Sequence, residues 1–214
     1  ISGFTTNPTL MKAAGVTNYK LFAKEILSHI NDKPISFEVF SDEFDEMEKQ
    51  ALDIASWASN VNVKIPITNT KGESTVELIS RLSKKRVICN VTAIFTVEQI
   101  KNVVSHLDPS TPAILSVFAG RIADSGIDPM EIMKQSVSIS KSKPKSEILW
   151  ASTREIINIF QAEDVGCQII TVPHELLNKF STIGKSLENY SLETVLTFYE
   201  DAKAAGYSIN KSTK

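Results

Sequence analysis

The stretch VNVKIPIT at residues 61–68 decides how the rest of the chain is read. Val61, Val63 and Ile65 alternate with Asn62, Lys64 and Pro66, the period of two that marks a β-strand. One face is apolar throughout, while the other carries an amide and then a lysine. Pro66 has no N–H to give a ladder, so it marks the end of the strand. Lys64 therefore falls at the C-terminal end of a strand otherwise fit for burial, where an ammonium is costly without a partner or a task. Two readings stand side by side. One is a structural lysine that reaches a neighbouring carboxylate or water. The other is a Schiff-base lysine, whose free amine is favoured by desolvation and nearby cations and attacks ketones.

Working outward, the pattern of strand then helix repeats along the chain. Strands are expected at 3–8 (GFTTNP), 35–40 (ISFEVF), 61–66, 87–92 (VICNVT), 113–118 (AILSVF), 147–152 (EILWAS) and 168–173 (QIITVP). Helices are expected at about 17–30 and 42–58, then around Val76, Ile79 and Leu82, and then behind a Thr96–Gln99 capping box. A GRIADSGIDP loop leads to a helix from about 129, and Ile156, Ile157 and Phe160 mark another, opened by Ser152–Glu155. A C-terminal helix at about 191–205 turns Leu192, Val195, Leu196 and Tyr199 inward and ends at Gly206.

Seven βα units in one 214-residue domain, with no linker or low-complexity segment, argue for a parallel sheet. Glu38, Lys64, Asn90 and Ser116 follow one another at steps of 26 residues, a βα period that suits a (β/α)8 TIM barrel better than an open doubly wound sheet. Such a barrel needs one more strand, so the first βα unit is expected to be absent from the N-terminus of this sequence, or its gap filled by another segment.

Strand facing sharpens the site. One parity of each strand is apolar and is expected to face the helices: Phe4; Ile35, Phe37 and Val39; Val61, Val63 and Ile65; Val87, Cys89 and Val91; Leu115 and Val117; Leu149 and Ala151. The other parity becomes polar near the C-terminal ends: Thr5 and Asn7, Glu38, Lys64, Asn90 and Thr92, Ser116, Ser152, Thr171. In a barrel those ends converge where active sites lie.

Composition bounds the function class. Hydrophobic content of 42%, charged content of 22% and a formal charge of −2 are those of an ordinary soluble protein, with no bulk attraction to nucleic acid or anionic membranes. No apolar run approaches the ~20 residues of a membrane span, and no signal peptide is visible. Cys89 and Cys167 show no metal-ligand spacing and make no disulfide framework, which points to a reducing, cytoplasmic setting.

TTNPTL at 5–10, VKIPIT at 63–68, CNVTAIF at 89–95, SVFAGRIAD at 116–124 and ASTREI at 151–156 resemble, in order and spacing, the transaldolase family. The resemblance implies transfer of a dihydroxyacetone unit between ketose and aldose phosphates in the pentose phosphate pathway, with no metal or organic cofactor. The overall exchange would be sedoheptulose 7-phosphate and glyceraldehyde 3-phosphate to erythrose 4-phosphate and fructose 6-phosphate. Lys64 matches the family's Schiff-base lysine, Glu38 its carboxylate acting through a bound water, and Thr92 the residue holding that water. Thr5, Asn7, Asn90, Ser116 and Phe118 match the substrate-binding positions, and Arg121, Ser152 and Arg154 the phosphate site.

Structural alternatives accompany these roles: Glu38 as a salt-bridge partner of Lys64, Asn7 as a turn residue before Pro8, Asn90 and Ser116 in local backbone bonding, and Ser152 as a capping serine. Related fructose 6-phosphate aldolases carry glutamine where Glu38 stands, so Glu38 favours transaldolase. The family's general acid/base is an aspartate on a strand upstream of TTNP, and none of the aspartates in this sequence matches it. A catalytically weakened barrel that only binds sugar phosphates is therefore a further reading. Sugar phosphates are the expected partners, and a homo-oligomer is left open, since the C-terminal helix could pack on a second copy.

Overall fold

The computed structural model describes residues 1–209. In chain order the elements are β1 (Phe4–Thr5), α1 (Pro8–Ala13), α2 (Tyr19–His29), β2 (Ile35–Glu38), α3 (Phe44–Ala55), β3 (Val61–Pro66), α4 (Val76–Lys84) and β4 (Cys89–Ile94). There follow α5 (Val97–His106), β5 (Ala113–Val117), α6 (Ala119–Asp124), α7 (Met130–Ser140), β6 (Ser146–Trp150), α8 (Ile157–Asp164), β7 (Ile169–Ile170), α9 (His174–Leu177) and α10 (Leu187–Ala204). The chain forms two compact units, Ile1–Pro173 and a second from His174 onward.

All seven strands of the first unit are parallel and lie in the order β1-β2-β3-β4-β5-β6-β7. A doubly wound sheet reverses its strand order at a switch point. This sheet grows in one direction only, with a helix between each pair of strands, so it makes up seven of the eight units of a (β/α)8 barrel.

The core lies between the strands and their helices. Phe37, Val63, Ile65, Val91, Leu115 and Val117 are wholly buried against Met47, Ala51, Ile79, Leu82, Ile100 and Met133. Each such side chain contributes about 1.5–3 kcal/mol by leaving water. The helix starts follow local chemistry: Asn18 Oδ1 accepts from Leu21 N–H to open α2, and the Thr96–Gln99 capping box opens α5 as expected.

Five local expectations are corrected. The strand at 3–8 is only two residues long, because Asn7 turns the chain into α1: its Oδ1 accepts from Leu10 N–H at 2.8 Å and Pro8 fits the first helical turn. The GRIADSGIDP segment is not all loop, since α6 occupies Ala119–Asp124 before Gly126 turns the chain at φ +81°.

The facing of β6 is inverted. Val117 pairs with Trp150 and Ser116 with Leu149, so Ile148 and Trp150 join the helix-side core, while Leu149 sits level with Ser116 on the polar face. β7 is also shorter than expected.

Finally, α10 begins at Leu187, and Leu192, Val195, Leu196 and Tyr199 are 52–62% exposed rather than turned inward. Its end is as expected: Gly206, at φ +65°, follows a cap in which Tyr207 N–H reaches Ala202 O. No described helix is long and apolar enough to cross a membrane.

Candidate active site

Strand register sets the site. Glu38 pairs with Lys64 and Lys64 with Asn90, so the first two 26-residue steps are one level of three adjacent strands. Alternation then places Ser36 and Asn62 one layer below, on the same face. Across β4 and β5 the register slips between Val91 and Ile94, where Ala93 adopts φ +58°. The slip inserts a residue opposite Ser116, a bulge of the kind found beside active sites.

Lys64 is only 7% exposed. Its Nζ donates to Glu38 Oε2 and to the Thr6 carbonyl, each at 2.9 Å. The salt-bridge reading of Glu38 is therefore realised in the geometry. An ion pair this sheltered is held together by attraction but keeps a desolvation cost that exposed pairs avoid. Glu38 N–H donates in turn to the Tyr19 hydroxyl at 2.8 Å, and burial pushes the Tyr19 phenol pKa up.

Beside the pair, Ser116 Oγ donates to Asn90 Oδ1 at 2.7 Å and Asn90 Nδ2 to Ser36 Oγ at 3.0 Å. Asn90 and Ser116 thus bond side chain to side chain rather than to local backbone, in a chain running from β5 to β2. Asn90 reaches over the intervening β3, as the concave face of a barrel sheet allows. Thr92 is buried at the same end of β4, where its carbonyl accepts from Ile67 N–H.

The remaining predicted residues lie farther out. Thr5 pairs with Ser36 on the polar face but is exposed, and Asn7 serves its helix cap. Phe118 opens α6 with its ring 5.7 Å from that of Phe95 and with the Arg121 guanidinium 5.3 Å above it.

Ser152 and Arg154 come together beside Gly120, the chain neighbour of Arg121, because Gly120 N–H donates to Ala151 O and the Arg154 stem passes over Gly120. The expected helix start at Ser152 is not there. Ser152 is left-handed at φ +63°, α8 begins at Ile157, and Asn158 Oδ1 takes the N–H groups of Arg154 and Glu155 instead. Arg154 Nε donates to both Asp124 carboxylate oxygens at 3.1 Å, which holds the Asp124 pKa below the usual carboxylate range and raises that of Arg154.

Sequence reasoning missed Ser36, Tyr19, Asp124 and the Thr6 carbonyl. Ser36 shares its parity with Glu38 and was findable on that ground; the others carried no periodic signal. Burial pushes the Cys89 thiol up to about 12 and that of Cys167 up to about 11, so neither is a ready nucleophile at neutral pH. No three His, Cys, Asp or Glu side chains converge as metal ligands among the described residues.

A one-directional barrel sheet, with a sheltered lysine and carboxylate at the C-terminal ends of its strands, defines a barrel of the enzyme kind. A family model described as Transaldolase/Fructose-6-phosphate aldolase matches residues 1–214. A "Probable transaldolase" of Dehalococcoides mccartyi is 38% identical over 178 residues, covering 83% of this chain and 79% of that protein. One of Caldicellulosiruptor saccharolyticus is 35% identical over 202 residues, covering 94% and 88%. One of Thermoanaerobacter sp. is 34% identical over 210 residues, covering 98% and 90%. The chain belongs to the transaldolase/fructose-6-phosphate aldolase family.

Proposed function

We propose that this protein is a transaldolase, moving a dihydroxyacetone unit from a ketose phosphate to an aldose phosphate through an imine on Lys64. The observation that carries the reading is the Lys64–Glu38 pair, 2.9 Å apart and sheltered at the ends of two adjacent parallel strands. Passing the ammonium proton to Glu38 leaves a neutral amine, and the amine nitrogen attacks the ketone carbon. The resulting carbinolamine loses water as Glu38, directly or through a water held by Thr92, returns a proton to the departing hydroxyl. The iminium then accepts the electrons of the breaking C3–C4 bond, while the C4 hydroxyl proton goes to a second base. In the family that base is an aspartate on the strand before the TTNP motif. The aldose phosphate departs, the enamine on Lys64 adds to an acceptor aldehyde, and the steps reverse.

Asn90 and Ser116, already linked by a hydrogen bond, offer the dihydroxyacetone hydroxyls a donor–acceptor pair. The Arg121–Arg154 corner suits a sugar phosphate, since guanidinium donors are forked and stay charged. The phosphate oxygens would compete there with Asp124 for Arg154.

The test is product analysis with fructose 6-phosphate, with and without an aldose phosphate acceptor. Transaldolase activity requires acceptor-dependent transfer. Release of free dihydroxyacetone at the same rate without acceptor would instead make the protein an aldolase. Tight binding of sugar phosphate with no turnover would make it a binding barrel.

A further inference from the structure

The Thr6 carbonyl is available to Lys64 for a reason that the β1–β2 ladder shows. Phe4 N–H donates to Pro34 O at 2.9 Å and Thr6 N–H to Ser36 O at 3.0 Å. Rungs of a parallel ladder are evenly spaced, so the next one would run from Glu38 N–H to Thr6 O. That rung is not made. Glu38 N–H turns to the Tyr19 hydroxyl at 2.8 Å, and Thr6 O receives Lys64 Nζ at 2.9 Å.

We propose that Tyr19 is a positioning residue for the lysine–glutamate pair: its hydroxyl takes the donor of the missing rung, which leaves the Thr6 carbonyl to hold the Lys64 amine. The chemical part of this proposal rests on the imine reading of Lys64. Both atoms that hold Nζ belong to residues the tyrosine touches. Its oxygen accepts from Glu38 N–H, and it lies 3.5 Å from Thr6 Oγ1. Thr6 Oγ1 commits its own hydrogen to Ser36 O at 2.9 Å, so the phenol proton points toward Thr6. The donors then run one way, from Glu38 N–H through Tyr19 and Thr6 to the Ser36 carbonyl. The ring is held edge-on chiefly by Phe40, at a centroid distance of 4.5 Å, with Phe37 and Trp57 farther off at 5.9 and 6.1 Å. Asn18, capping α2, sets the turn that presents it. A half-buried phenol with a raised pKa stays a neutral hydroxyl, able to accept and donate at once.

Tyr19→Phe keeps the ring and removes only the oxygen, and two measurements read the result. A crystal structure of the variant is expected to show Glu38 N–H within hydrogen-bond distance of Thr6 O, with Lys64 Nζ displaced from that carbonyl. This arm does not depend on the reaction. Single-turnover borohydride trapping of a ketose phosphate on Lys64 is expected to slow on the order of 10–100-fold, as for a misplaced reacting group, with KM within about twofold. Trp57→Phe, which loosens the same aromatic cluster but keeps the hydroxyl, is expected to lose stability without slowing trapping.

Thr6→Val removes the far end of the chain of donors and is expected to slow trapping about 3–10-fold, the effect of one hydrogen bond; it carries the kinetic test if Tyr19→Phe does not fold. The proposal is overturned by a Tyr19→Phe protein in which Nζ stays on Thr6 O and trapping keeps its rate. A Thr6→Val protein at the wild-type rate, or equal slowing by Trp57→Phe, also overturns it. If the wild type forms no adduct at Lys64, the imine reading falls, and the crystal structure still decides the role of Tyr19.

Discussion

Lys64 and Glu38 neutralise each other across 2.9 Å, and each is costly to leave alone in so sheltered a place. Glu38→Gln keeps shape and a hydrogen-bonding group but cannot move a proton. Turnover is expected to fall about 10²–10⁴-fold, read as kcat with the fold checked by circular dichroism. Unchanged turnover would make Glu38 a counter-ion only. Arg154 differs, being exposed and paired with Asp124. Arg154→Ala is expected to weaken kcat/KM for fructose 6-phosphate roughly 10–150-fold, the worth of one charge-assisted contact, and to leave a non-phosphorylated ketose nearly unaffected. An equal loss for both substrates would place Arg154 in the scaffold instead.

At this scale the sequence was legible wherever side chains alternate. Lys64, Glu38, Asn90 and Ser116 stood out because they fall on the parity opposite the apolar one, at the strands' C-terminal ends. The Thr6 carbonyl did not, because a main-chain oxygen is the same in every residue. Asn7 caps α1, where its place before Pro8 had suggested only a turn residue.

Among the elements, the junction of α6 with the end of β6 is where pattern reading failed. Extending β6 to Ser152 put Leu149 and Ala151 on the helix side. The strand stops at Trp150, however, and Ser152 turns left-handed, so the pleat does not carry through. A non-glycine at φ +63° gives no hydropathy signal and cannot be read from alternation.

The same junction explains Gly120. A Cβ there would lie 1.6 Å from the Ser152 carbonyl oxygen, a backbone atom that cannot step aside cheaply. Gly120→Ala is therefore expected to destabilise by about 3 kcal/mol, the upper part of the overpacking range. It should also weaken phosphorylated substrates, because Ser152 and Arg154 must move with the loop. Denaturant unfolding with a midpoint matching wild type would refute the contact. α6 itself was taken for loop because it is short, contains Gly120 and is followed by Gly126, whereas α5 announced itself through a capping box.

For the whole molecule, sequential strand order was foreseen from a recurring βα period, and the sheet follows it without exception. The exposed apolar face of α10 was not foreseen, since periodicity reports that a helix has an apolar side but not what covers it. Stability against acid is a property of the ensemble of surface carboxylates. Glu48 between Arg81 and Lys85, Asp53 beside Lys20, Asp108 bonded to Ser110 and Asp124 beside Arg154 all have pKa values lowered by their partners. A depressed folded pKa gives stability that is present above the unfolded value, about 3.9–4.3, and is lost as pH falls through the folded value. Tm is thus expected to hold between about pH 7 and 5 and to fall below about pH 4, measured by thermal melts across that range. A Tm unchanged at pH 2.5 would contradict it.

The central claim, that the barrel exists to hold a ketone on Lys64, has a direct test. The protein is incubated with fructose 6-phosphate and borohydride, digested, and its peptides are mapped by mass. A reduced dihydroxyacetone-derived adduct on Lys64, absent in Lys64→Arg because a guanidinium does not deprotonate to attack, is the predicted result. An adduct on another lysine, or none in folded protein that turns over substrate, would contradict it.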